Sequence, residues 1–210
     1  MSNLSMEQFA RLGVATIYEA SGQQGLIDVP LLQIVPDSRV AGPARTVYCG
    51  QGDNLMVHAA LDSVQPGEVL VLTMPEPQPF ALVGELLATQ AKVRQVAAIL
   101  VDAAVRDSEE LRELGLPIWA RWIRVRGTSK TRVGTINEPV TMGGTTIAPG
   151  DIVVLDADGA VVVASQDAAR VLEAGLARQE REANLRPKLQ AGALSYDLHG
   201  LRSRVEKKEP

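Results

Sequence analysis

The 210-residue chain has one cysteine, Cys49, and only two histidines, His58 and His199. A single thiol excludes an intrachain disulfide framework and a zinc site built from cysteines, and it suits a reducing compartment. Aromatic residues make up 3% of the chain. The core must therefore be assembled from Val, Leu, Ile and Ala, which favours α/β layers. No run reaches the roughly 18 apolar residues of a membrane span, and "MSNLSMEQFARLG" has neither the basic segment nor the apolar stretch of a secretory leader. The expectation is a cytoplasmic protein without a membrane partner. The formal charge of −4 is spread along the chain, so no basic block marks a nucleic-acid partner.

What is present is 46% hydrophobic residues, enough for one substantial core. Residues 1–210 are expected to form one domain, with a helical extension from about residue 166. "SMEQFARLGVATIYEAS" has the texture of one or two helical segments that exit at Gly22 and Gly25. "ARTVYCGQ" and "GEVLVLTM" fit strands on either side of a helix in "DNLMVHAALDSV". The spacing of Val83, Leu87 and Ala91 predicts a helix through "ALVGELLATQAKVRQ", with Gly84 near its start. "AAILVDAAV" is a buried strand, followed by a helix in "SEELRELG" and a strand in "PIWARW". This alternation implies parallel pairing. From residue 131 the chain is β-branched and Gly-rich, which predicts a β-rich lobe. "DADG" there marks a hairpin in which Gly159 supplies a positive φ. A long C-terminal helix is expected to break at Pro187.

Ligands of open α/β sheets bind beyond the carboxyl ends of parallel strands, and Arg106-Asp107 stand at such an end. Neighbours in an extended chain point to opposite faces, so each is expected to serve a third party rather than the other. Arg106 stays charged and can hold a carboxylate or a ketone oxygen. Asp107 is a hard oxygen ligand suited to Mg²⁺. A bland alternative stands beside this: Asp107 and Glu110 form a capping box for the next helix, and Arg106 is simply solvated. A helix starting at Gly84 would offer free N–H groups of Glu85, Leu86 and Leu87 to an anion. Glu85 there is either a functional acid or an ordinary first-turn glutamate.

In their order and spacing, "GELLATQAKVRQVAAILVDAAVRDSEEL", "GTSKTRVGTINEPVTMGGTTIAPGDIVVLDADGAVVV" and "REANLRPKLQAGALSYDLHGLR" resemble successive signatures of the class II pyruvate aldolases. That family includes the 4-hydroxy-4-methyl-2-oxoglutarate/4-carboxy-4-hydroxy-2-oxoadipate aldolases and shares its fold with the RraA proteins, regulators of ribonuclease E. The resemblance runs from about residue 12 to residue 202. It implies a swivelling β/β/α RraA-like fold, within the α/β class, and a homotrimer or homohexamer with intersubunit active sites. It also implies a small oxo-acid substrate, cleaved by a retro-aldol reaction that releases pyruvate, oxaloacetate decarboxylation as a side activity, and Mg²⁺ or Mn²⁺ as cofactor.

Carried over by position, Asp107 resembles the metal-ligating aspartate and Arg106 the arginine on the ketone oxygen. Gly84, Glu85, Leu86 and Leu87 resemble the segment whose N–H groups bind the pyruvyl carboxylate. Glu182 falls where a neighbouring subunit's glutamate bonds metal-bound water, and with Glu85 it would position the base for the C4 hydroxyl. The family's aldolases usually have Asp where this chain has Glu85, and Gly within the segment where it has Ala103-Ala104. The alternative is an RraA-like regulator that binds and inhibits a ribonuclease, although the C-terminal stretch looks like the aldolase branch. His58 is expected to be a packing or hydrogen-bonding residue. Trp119 and Trp122 are expected in the core or an interface. "GTSK" lacks phosphate-loop spacing, and Lys92 or Lys130 as a Schiff-base lysine is a minor alternative.

Overall fold

The computed structural model describes residues 3–206. Along the chain come α1 (Asn3–Ala20), β1 (Leu32–Gln33), β2 (Val40–Tyr48), α2 (Leu55–Ser63), β3 (Val69–Thr73), β4 (Ala81–Val83) and α3 (Glu85–Val93). Next are β5 (Ala98–Val105), α4 (Ser108–Leu114), β6 (Ile118–Ile123), β7 (Thr135–Ile136), β8 (Val140–Met142) and β9 (Thr145–Ile147). β10 (Ile152–Asp156), β11 (Gly159–Val163), α5 (Ala168–Gln190), α6 (Ser195–Leu198) and α7 (Arg202–Val205) complete it.

β3 and β5 are buried along their whole length, which is why they read as unbroken apolar runs. They form the middle of a sheet ordered β1-β6-β5-β3-β2-β10-β11, in which β2, β3, β5 and β6 are parallel as expected from the strand–helix alternation. Alternation along each strand then divides the core. Leu70 and Leu72, with Ile99 and Val101, face Val57 and Leu61 of α2, Ala88 and Ala91 of α3, and Leu111 of α4. Val69, Val71 and Leu100 point the other way and meet Trp119, Val153 and Leu155. A third cluster joins Phe9 and Ile17 of α1 to Val154, Val161 and Val171. Cys49 is fully buried, and burial, with the charge of Asp53 behind it, pushes its thiol up to about 12.

Several expectations are corrected. α3 begins at Glu85, because Ala81–Val83 form a strand that pairs in parallel with β5; Val83 therefore belongs to the sheet rather than to a helical face. Pro187 does not break α5, which continues to Gln190; its missing N–H deprives only the Ala183 carbonyl, and just three helical residues follow it. The Gly-rich region is β-rich as expected, with β7 to β11, but most of it joins the main sheet. β10 pairs with β2 and joins the main sheet, and only β8 and β9 form a sheet of their own. Two segments do make up α1, joined at Gly13 with φ 77°. Gly159 supplies the positive φ expected of the β10–β11 turn, at 126°. No helix among the described residues is long and apolar enough to cross a membrane.

Candidate active site

The carboxyl ends of β4, β5 and β6 lie side by side. Arg106 N–H donates to the Val83 carbonyl at 3.1 Å, and Arg124 N–H to that of Val105 at 2.9 Å. α3 starts directly after β4 with Gly84 as its N-cap, and Asp107 caps α4 directly after β5. The two helix starts thus face each other at the strand ends, where ligands of α/β sheets bind.

Asp107 has φ 58° and ψ 46°, the left-handed conformation that Asp and Asn tolerate better than most residues. Strand alternation has ended by this point. The expectation that Arg106 and Asp107 diverge therefore fails: Arg106 Nε lies 3.6 Å from Asp107 Oδ2, with both side chains about half exposed. The alternative capping box is absent too, since Asp107 makes no side-chain cap bond to its own helix. Its Oδ2 instead accepts the N–H of Glu85 at 3.0 Å. One carboxylate thus ties the start of α3 to the end of β5.

Gly84 is explained by close approach. Its φ of −128° suits any residue, but a Cβ there would lie 2.5 Å from Asp107 Oδ2 and 3.1 Å from Arg106 Nε. A pocket of about 200 Å³ opens beside it, lined by Asn54, His58, Gly84, Leu86, Leu87, Arg106, Asp107, Gly127, Thr128 and Lys130. A larger groove of about 650 Å³ runs between α1 and the start of β2. It contains Glu7 and Arg39 but none of the groups at the strand ends, so the smaller pocket is the candidate site.

Of the residues singled out in the sequence, Gly84, Leu86, Leu87, Arg106 and Asp107 meet at this pocket. Glu85 turns along its own helix, where its Oε1 accepts the Thr89 hydroxyl at 2.8 Å. Glu182 lies on α5, paired with Arg178 at 2.8 Å, and does not line the pocket of its own chain. Lys92, in the last turn of α3, donates to the Leu114 carbonyl, away from the pocket. Trp119 is buried in the core as expected, its indole N–H donating to the Asp156 carbonyl at 2.9 Å.

His58, expected to be a packing or hydrogen-bonding residue, is not packed in the core. It is exposed on α2 and lines the pocket, where desolvation, with the charge of Lys130 behind it, pushes its imidazole below the ordinary value. Sequence reasoning missed Asn54 and Asp53 and gave little weight to the segment from Gly127 to Lys130. The only signal was local: Asp53-Asn54 before the apolar run of α2 has the composition of a helix start. Asn54 is buried and its Nδ2 donates to the Leu82 carbonyl at 3.1 Å, while its Oδ1 has no partner.

The acidic donor set at the pocket is Asp107 alone, and among the described residues no cluster of three or more His, Cys, Asp or Glu could cage a metal. Such a set fits a hard, Mg²⁺-type cation that takes one carboxylate and completes its shell with substrate and solvent.

Comparison with known proteins identifies the family and the fold. Residues 14–162 match the family model described as RraA-like, Aldolase/RraA. A protein of Halalkalibacterium halodurans named "Putative 4-hydroxy-4-methyl-2-oxoglutarate aldolase" is 35% identical over 172 residues, covering 81% of this chain and 79% of its own. The crystal structure of Streptomyces coelicolor RraAS2, described as an unusual member of the RNase ES inhibitor RraA protein family, superposes with a TM-score of 0.78 at 28% identity. The match covers 89% of this chain and 97% of that one. An uncharacterized protein from Pseudomonas syringae pv. tomato shares the fold, with a TM-score of 0.81 at 24% identity over 92% of this chain and 96% of its own. The architecture is thus the α/β RraA-like fold, and the chain belongs to the RraA-like, Aldolase/RraA family.

Proposed function

We propose that this protein is a class II pyruvate aldolase that cleaves a 4-hydroxy-2-oxo acid of the 4-hydroxy-4-methyl-2-oxoglutarate or 4-carboxy-4-hydroxy-2-oxoadipate type and decarboxylates oxaloacetate as a side reaction. The observation that carries this reading is the meeting of Arg106, Asp107 and the start of α3 at one pocket. The name of the 35% identical relative supports it.

Cleavage breaks the C3–C4 bond and leaves its electron pair as an enolate on the pyruvyl fragment, while C4 becomes a carbonyl and its hydroxyl loses a proton. Arg106 is the group for the developing oxyanion at C2, because its guanidinium is permanently charged and stands at the pocket wall. Of the three N–H groups expected to take the C1 carboxylate, that of Glu85 is engaged by Asp107. The carboxylate role therefore falls to Leu86 and Leu87, whose N–H groups in the first turn have no partner within the helix. Glu85 keeps one oxygen beyond its Thr89 bond with which to position the base for the C4 hydroxyl. Glu182 does the same from a neighbouring subunit of a trimer or hexamer, a role that its distance from its own pocket allows. Asp107 would hold a Mg²⁺ or Mn²⁺ ion, which supplies Lewis-acid polarisation of the 2-oxo group.

A coupled assay with lactate dehydrogenase tests this, using 4-hydroxy-4-methyl-2-oxoglutarate and oxaloacetate with Mg²⁺ and with chelator. Pyruvate release that needs the cation and disappears in Arg106→Ala and Asp107→Asn is the expected result. Absence of turnover on both substrates would move the assignment to a second reading, a ribonuclease-binding regulator. The Streptomyces relative at 28% identity favours that reading.

A further inference from the structure

We propose that Asp53 is a positioning residue that holds Lys130 at the pocket as the cation for a second carboxylate of the substrate. This deepens the aldolase reading and rests on it.

Asp53 is fully buried, yet no cation pairs with it among the described residues. Its Oδ1 accepts the Leu55 N–H at 2.8 Å. Its Oδ2 accepts the Ser129 hydroxyl at 2.6 Å and the N–H groups of Thr131 at 2.7 Å and Arg132 at 3.1 Å. Two backbone bonds lock the same contact, Ser129 N–H to the Gly52 carbonyl and Asn54 N–H to that of Ser129, each 3.0 Å. The residues on both sides of Lys130 are thereby fixed to the start of α2. A buried carboxylate is an expensive way to fasten a surface arm, which directs attention to what the arm carries.

It carries Lys130 and Thr128 to the pocket wall. Lys130 makes no ion pair or hydrogen bond among the described residues. Arg106, 3.6 Å from Asp107, is the cation assigned to the C2 oxyanion, so Lys130 is the pocket cation left for a second carboxylate. Its field reaches across that space, since it contributes to the lowered imidazole of His58.

The same wall contains Asn54, whose amide oxygen is shut off from the surface. Leu82 offers only a carbonyl to the amide of Asn54, so Nδ2 must face it, and Oδ1 is left without a partner. Buried polar atoms seldom stay unsatisfied. A lysine ammonium free at the pocket wall matches a substrate tail bearing a carboxylate. The class is a 4-hydroxy-2-oxo acid with a second carboxylate on C4.

The test compares 4-hydroxy-4-methyl-2-oxoglutarate with 4-hydroxy-4-methyl-2-oxopentanoate, in which a methyl replaces the distal carboxylate. The wild type should favour the diacid in kcat/KM by about 10-fold or more, the discrimination expected of one charge-assisted hydrogen bond. Lys130→Met should abolish that preference mainly through KM, and Lys130→Arg should restore part of it. Asp53→Asn, which sets an NH₂ against N–H donors, should do the same, and the double variant should be no worse than Lys130→Met alone. A preference that survives Lys130→Met, or losses that multiply in the double variant, would overturn the proposal.

Binding of 2-oxoglutarate, which lacks the C4 hydroxyl and is not cleaved, gives a readout independent of turnover. Lys130→Met should weaken it about 10-fold while leaving pyruvate binding unchanged; equal binding in variant and wild type contradicts the proposal. A wild type that binds 2-oxoglutarate through Lys130 but cleaves nothing would sink the aldolase reading alone. Should Asp53→Asn not fold, Lys130→Met, an exposed substitution, still decides.

Discussion

Asp107 Oδ2 accepts the backbone N–H of Glu85 at 3.0 Å, so the first free donor of α3 is held by the residue at the start of α4. Asp107 is also left-handed, with φ 58°. Asn tolerates that conformation and keeps an acceptor; Ala does neither. Asp107→Asn should therefore unfold within about 0.5 kcal/mol of the wild type, the range of an ordinary exposed change. Asp107→Ala should lose about 1–2 kcal/mol, since alanine has no polar side chain to offset the left-handed conformation or to accept the Glu85 N–H. Both should lose pyruvate release. Denaturant titration beside the coupled assay separates the two effects, and an Asp107→Asn variant with full turnover would remove the aspartate from the chemistry.

Gly84→Ala tests close approach. The added Cβ would stand 2.5 Å from Asp107 Oδ2 and 3.1 Å from Arg106 Nε, both ends of side chains that can move. Since φ of −128° suits alanine, the fold should tolerate the change with only a small loss of Tm. The pair it displaces is the one assigned to the reaction, and misplacement of about 1 Å can cost roughly 100-fold. A large fall in kcat/KM with a nearly unchanged melting curve is expected, whereas retained activity would show that the pair has room to shift.

The fold was legible where burial is continuous or strictly periodic. "VLVLT" and "AILVDAAV" announce central strands because both of their faces are covered. The candidate site was legible in part, through Arg106-Asp107 at a strand end and the glycine before "ELL". Its geometry was not. The alternation argument for Arg106 and Asp107 assumed an extended chain, and nothing in "VRDSEE" declares a left-handed aspartate. β4 is three residues long and held by its partner β5, so local spacing assigned Val83 to a helix. Asp53 was out of reach for a simpler reason: the donors from Ser129 to Arg132 lie 76 to 79 residues away in sequence.

Arg106 is assigned to a developing oxyanion, a role that its exposure allows without much structural burden. The side chain is 49% exposed and its ion pair is loose, so Arg106→Lys should fold and melt like the wild type. Lysine keeps the charge but not the planar fork. A fall of about 10²- to 10³-fold in kcat is expected for Arg106→Ala, with little recovery in Arg106→Lys. If Lys restores most of the rate, charge alone is what the pocket requires.

Asp53 also predicts how stability should depend on pH. Burial raises its carboxyl, but the bonds from Ser129, Thr131, Leu55 and Arg132 outweigh burial and hold it well below the ordinary 3.8. A carboxyl depressed in the folded state binds fewer protons there than in the unfolded chain, so stability rises with pH across the interval between the two values. Its contribution is complete above the unfolded value and is lost as pH falls below about 4. Acid should thus release the arm that carries Lys130. Denaturant midpoints followed from pH 6 to pH 3 should fall steeply in the wild type and more shallowly in Asp53→Asn, which has no proton to take up there. Protection factors of the Thr131 and Arg132 amides, which allow for the slower intrinsic exchange in acid, should fall over the same interval. Parallel pH profiles in the two proteins would mean that the Asp53 carboxyl binds protons equally in the folded and the unfolded chain, contrary to the donors gathered around it.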